Sequence, residues 1–161
     1  MSLEVDVQRA CDAPGVPGSG RITRWARAAA EAVRSHDASL CVRIVDETEG
    51  AELNRSFRKR DGATNVLSFP FDAGSHVRPP LLGDVVICAP VVAREAREQG
   101  KALDDHYAHL VIHGVLHLLG HDHGDEDQAA LMEGLERRVL AGLGVADPYA
   151  AAGAPGTGDR P

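Results

Sequence analysis

Apolar and polar residues alternate at 3–7, where Glu4 and Asp6 separate Leu3, Val5 and Val7, and again at 39–46, where Leu40, Val42 and Ile44 alternate with Cys41, Arg43 and Val45. A period of two predicts strands, each with one buried face. Between them, residues 12–20 hold two prolines and three glycines and read as a loop, and the alanine-rich stretch 21–36 reads as a helix. A second helix is expected at 47–57 with Ala51, Leu53 and Phe57 inward. Strands are expected at 66–71 and 84–88, the first suited to a sheet edge because it carries Pro70. Ala89 or Pro90 opens a helix to about residue 99, where an early proline costs little. Asp104 or Asp105 can cap the next helix, which runs to Leu119 and is apolar nearly all round over 110–119 apart from its histidines, as in a helix buried in a core. Gly124 and Asp125 precede a last helix over 126–143. This order predicts an α/β (α+β) single domain over residues 1–146: a small mixed sheet packed by helices, with a central histidine-bearing helix. Residues 147–161 are rich in Ala, Gly and Pro and read as a disordered tail.

Composition supports one aliphatic core: the chain has 161 residues, 43% of them hydrophobic but only 4% aromatic. Glu4, Asp6 and Arg9 interrupt the start, and no stretch approaches the roughly 18 apolar residues of a membrane helix, so a cytoplasmic protein with no membrane contact is expected. Cys11, Cys41 and Cys88 are odd in number and scattered, which argues against a disulfide framework. The formal charge of −7 opposes nucleic-acid binding as a whole. Positive charge is local, with Arg55, Arg58, Lys59 and Arg60 within six positions. Asp122, Asp125, Glu126 and Asp127 gather elsewhere.

Six of the eight histidines, His106, His109, His113, His117, His121 and His123, fall in one short stretch. His113 and His117 are four apart, so on a helix their Cβ atoms lie roughly 5–6 Å apart on one face, close enough for two imidazoles to meet one ion. Gly120 can adopt a left-handed turn that brings His123 to the same ion. Three protein ligands leave a fourth position open, the mark of a catalytic zinc. His109 competes with His117 for pairing with His113, but His109 and His117 lie about 12 Å apart along a helix axis and cannot share an ion. The spacing of His113, His117, Gly120 and His123 matches the metzincin signature, except that Gly114 stands where those proteases carry their glutamate base. Without that carboxylate, peptide hydrolysis loses its proton acceptor while metal-assisted chemistry stays available.

The run from His113 to His123, His-Gly-Val-Leu-His-Leu-Leu-Gly-His-Asp-His, resembles the signature of the YbeY endoribonucleases, the bacterial rRNA maturation factors. Two further blocks, from Leu53 through Thr64-Asn65-Val66-Leu67-Ser68-Phe69-Pro70 and at Leu82-Gly83-Asp84, are similar to that family's segments in the same order. Lys59 and Arg60 depart from it, standing where Gly-Lys is common, as does Ala63, where proline is frequent. The resemblance implies one Zn2+ on His113, His117 and His123, and Arg58 neutralising charge on a phosphate. It implies single-stranded rRNA precursors as substrate, action in small-subunit rRNA 3′ end processing and ribosome quality control, and the ribosome or its small subunit as partner. Asn65 and Ser68 could contact substrate, with ordinary strand hydrogen bonding the alternative. His121 and Asp122 are expected to support the site, Asp122 by orienting a ligand histidine. Two other classes share these features: a zinc hydrolase of a non-RNA substrate, and a ribosome-associated binding module with structural zinc.

Overall fold

A computed structural model describes residues 2–33, 37–71, 80–121 and 124–150. Its elements follow the order β1 (Leu3–Arg9), α1 (Ser19–Val33), β2 (Ala38–Val45), α2 (Glu47–Arg58), β3 (Val66–Pro70), β4 (Leu81–Cys88), α3 (Ala89–Gln99), α4 (Leu103–Leu118) and α5 (Glu126–Gly142). The four strands form one mixed sheet in the order β1-β2-β4-β3, parallel except for the antiparallel edge strand β3. The expected α/β domain with a small mixed sheet is what the chain forms.

The period of two decides which face is covered. Leu40, Val42 and Ile44 of β2 and Val85 and Ile87 of β4 point into the main core, where they meet Ile22, Ala26 and Ala29 of α1 and Val111, Ile112 and Val115 of α4. Helix α4 crosses over β3 and β4 at close range. Gly114 makes that approach possible: a Cβ there would lie 2.6 Å from Val85 Cγ1 and 3.4 Å from Val66 Cγ2. A glutamate of the metzincin kind has no room at this position. Ser68 Oγ donates to the Gly114 carbonyl at 3.1 Å and ties β3 to the same turn of α4.

Several boundaries differ from the sequence reading for local reasons. Asp104 and Asp105 do not cap α4. The N-cap is Ala102, and both aspartates sit in the first turn, where they complement the helix dipole. Phe57 is 65% exposed rather than inward, and packs edge-on against Phe69. The buried flank of α2 is Gly50 and Asn54 instead. Asn54 goes inside because its amide donates to the Gly62 carbonyl at 2.7 Å, which satisfies the loop that returns to β3. Strand β4 starts at Leu81, three residues early, since Leu81 pairs with Ser39. The proposed tail is packed at its start: Pro148 is buried and Tyr149 reaches α5, so ordered chain continues to residue 150. Of the predicted first helix, residues 34–36 lie outside the described residues, as do 151–161 of the tail.

Lys59 closes α2 in the left-handed region at φ 57°, and it is the one described non-glycine residue with positive φ. Glycine is common here in the family the sequence resembles, and lysine holds a conformation that favours glycine. Two glycine exchanges should therefore move stability in opposite directions. Lys59→Gly should stabilise by about 0.5–1 kcal/mol, and Gly114→Ala should destabilise by about 1–3 kcal/mol through overpacking on Val85. Urea unfolding of both variants beside the parent checks the two signs.

Candidate metal centre

Spacings of three and four along α4 stack His106, His109, His113 and His117 on one flank. Successive ring centroids are 6.4, 6.2 and 5.9 Å apart. Helix α5 lays a carboxylate against the middle of this row. Glu136 is fully buried; one oxygen lies 2.7 Å from His109 Nε2 and the other 2.8 Å from His113 Nδ1, and the Tyr149 hydroxyl donates to the first.

Burial alone would raise the Glu136 pKa, but the hydrogen bonds from His109 and His113 outweigh it and hold the carboxyl at about 2. An ionised carboxylate only accepts, so each ring nitrogen facing it carries the proton. His113 thereby donates through Nδ1, so in the neutral ring the lone pair is on Nε2. His109 is set the other way, with the proton on Nε2, and burial lowers its pKa more than Glu136 raises it. Its Nδ1 is buried without a hydrogen-bond partner among the described residues.

A second acid repeats the device one turn earlier. Glu95 of α3 accepts from His106 Nε2 at 2.9 Å and from Asn65 Nδ2 at 3.0 Å. The two clusters face a cavity of about 340 Å³ lined by Asn65, Glu95, His106, His109, His113 and Tyr149 among others. A larger hollow of about 680 Å³ lies away from these histidines, between α1 and β1. That one is larger, but the buried titratable groups converge on the smaller.

His113 and His117 are adjacent, as the spacing requires. Gly120 takes φ 97° and ends α4 in a Schellman turn, with His121 N–H donating to the Leu116 carbonyl and Gly120 N–H to that of His117, both at 3.1 Å. That turn redirects the chain, and His121 is half-buried just beyond it. Asp122 and His123 lie outside the described residues. Arg58 is the exposed last residue of α2 and is not a member of the histidine network. Asn65 and Ser68 are engaged with protein: besides the bonds to Glu95 and Gly114, the Asn65 carbonyl accepts from Cys88 N–H at 3.0 Å.

Among the described residues, His109, His113 and Glu136 form a group that could hold a metal ion, with one ligand atom from each lying within 4.8 Å of the others. The sequence reading did not single out Glu136, although a signal was available. In α5 the buried positions are Met132, Leu135, Glu136, Val139 and Leu140, so a lone acid occupies the apolar stripe.

Residues 19–144 match the family described as Endoribonuclease YbeY. Proteins named Endoribonuclease YbeY from Pseudomonas entomophila (strain L48) and Alkalilimnicola ehrlichii are each 57% identical to this chain, covering 92% of it and 94% and 91% of their own lengths. One from Stenotrophomonas maltophilia (strain R551-3) is 55% identical over 93% of this chain and 95% of its own. In architecture the chain is similar to the solution structure of TM1509 from Thermotoga maritima, with a TM-score of 0.52, 23% identity, and coverage of 85% of this chain and 91% of that one.

The Glu95 cluster gives a pH dependence. Burial opposes ionisation of Glu95, but the bonds from His106 and Asn65 win and place its pKa below the ordinary 4.5. A depressed carboxyl adds stability that is complete above the unfolded pKa and is lost as pH falls through the folded one. Below about pH 4.5 the melting temperature of the parent should therefore fall more steeply than that of Glu95→Gln, both measured metal-free. Glu136 contributes to both proteins and cancels. Parallel acid limbs would remove Glu95 from the balance.

Proposed function

The chain belongs to the Endoribonuclease YbeY family, and on that premise we propose that this endoribonuclease is a zinc-dependent, single-strand-specific enzyme of small-subunit rRNA 3′ end maturation and ribosome quality control. It acts in the cytoplasm on rRNA precursors in association with the ribosome. No described helix is long and apolar enough to cross a membrane.

One observation carries the metal assignment. Glu136 holds His113 through Nδ1, so the nitrogen left for an ion in the neutral ring is Nε2, and the His113 and His117 ring centroids lie 5.9 Å apart. A histidine that donates to a carboxylate from one nitrogen and coordinates through the other is the usual form of a zinc ligand. The donor set His113, His117 and His123 fits zinc, with the turn at Gly120 directing the chain between the second and third. When bound, such an ion supplies Lewis acidity and lowers the pKa of a coordinated water.

The remaining residues divide the work. Arg58, exposed and always charged, binds phosphate oxygens through its planar fork and offsets charge that develops as the phosphodiester is cut. Arg55, Lys59 and Arg60 beside it attract RNA to a chain of net charge −7. Asn65 and Ser68 act from behind, fixing β3 against α3 and α4. His121 and Asp122, next to the turn, orient ligands and substrate.

A second reading has its own observation: the ion would lie among His109, His113 and Glu136. Single substitutions separate the two. With zinc at His113, His117 and His123, alanine at any of them abolishes stoichiometric metal and cleavage of single-stranded RNA, whereas His109→Ala retains the metal. Full occupancy in His117→Ala with loss in His109→Ala would establish the second reading. Arg58→Ala should lower cleavage by about two to three orders of magnitude, with metal content and melting temperature unchanged, and Arg58→Lys should recover only part. Equal losses from Arg55→Ala and Arg60→Ala would mean a diffuse basic patch instead.

A further inference from the structure

The network around Glu136 includes a residue far along the chain from α4 and beyond residue 144, where the family match ends. Tyr149 donates its hydroxyl to the Glu136 oxygen that also accepts from His109, and lies 3.2 Å from His109 Nε2. Its ring packs edge-on against the His109 ring, centroids 5.3 Å apart. The segment that carries it is built in place. Asp147 accepts from the Tyr149 N–H at 2.8 Å and pairs with Arg137 Nε at 3.2 Å, while the Arg137 guanidinium lies 5.2 Å from the Tyr149 ring. Pro148 is buried, and its carbonyl accepts from Lys101 Nζ at 3.4 Å.

We propose that this segment is a clasp that completes the metal centre from outside: Tyr149 is a positioning residue that acts through Glu136 on His113. The inference rests on His113 being a zinc ligand. A carboxylate with no solvent contact is stable only if its lone pairs are satisfied, and its terminal torsion is otherwise soft. One Glu136 oxygen is fixed by two donors, His109 and Tyr149. That leaves the other oxygen aimed at His113 Nδ1, so the imidazole is held in one orientation. Removing the tyrosine hydroxyl takes away one of the two donors that stop the carboxylate from turning, and with it the preorganisation of His113. Carboxylate partners of histidine ligands contribute about 10–100-fold to metal affinity. The clasp acts one bond further out and should contribute several-fold.

Tyr149→Phe is the informative variant because it keeps the ring and its packing; Glu136→Gln tests the link nearer the metal. Zinc affinity is read by competition with a chromophoric chelator, and the His113 tautomer by long-range ¹H–¹⁵N correlation spectra of the zinc-free protein. The expected result is an Nδ1–H tautomer for His113 in the parent and mixed tautomers in both variants. Zinc Kd should rise several-fold in Tyr149→Phe and about 10–100-fold in Glu136→Gln. A merely structural tyrosine would lower the melting temperature without moving the tautomer, and that result overturns the proposal. If His113→Ala abolishes zinc while Tyr149→Phe leaves both Kd and tautomer as in the parent, the clasp fails and the ligand assignment stands. If His113→Ala still binds zinc fully, the ligand assignment fails, and the clasp with it. If Glu136→Gln removes zinc entirely while Tyr149→Phe tightens it, Glu136 is itself a ligand freed from a competing donor, and the clasp is refuted.

Discussion

The close passage of α4 over the sheet sets everything that follows. At Gly114 the helix has no side chain to hold it off Val85, so its backbone settles against β4 and its histidine flank is carried to the side, next to α3, α5 and the edge strand β3. The absence of one side chain has two effects. It excludes the glutamate that would make a protease, and it seats His113 where Glu136 can reach it. Packing and chemistry are selected at the same position.

Buried histidines would be costly if nothing fixed their protons. Two acids do so here, Glu95 for His106 and Glu136 for His109 and His113. Each acid is itself kept ionised by the N–H groups it orders, so charge and tautomer stabilise one another in a low-dielectric interior. The row on α4 is therefore divided, with His106 and His109 turned inward to acids and His113 standing between an acid on one nitrogen and His117 on the other side.

What could be read from the sequence was what depends on neighbours a few residues apart. The alternation in β1 and β2, the turn at Gly120, the pairing of His113 with His117 and the capping Asp125 of α5, which accepts from Gln128 N–H, are all local. Features that depend on partners far along the chain were not legible. Nothing near Asp104 reveals that Ala102 begins α4, and nothing near Phe57 reveals that Asn54 is drawn inside by Gly62. The bond between Tyr149 and His109 spans 40 positions. Glu136 was the exception, announced by its place on an apolar stripe. Composition also misled at 147–150, where Pro and Tyr pack rather than trail.

The direction of protein synthesis gives the Glu136 network a temporal side. Helix α4 leaves the ribosome before α5, and α5 before Tyr149, so a growing chain displays its histidines before the acid that fixes their protons. During that interval the imidazoles sample both tautomers and offer no preferred nitrogen to a passing cation. One tautomer of His113 is favoured only once Glu136 on α5 has folded back against it. The network of histidines and acid is thus complete only once α5 and the segment bearing Tyr149 lie against α4.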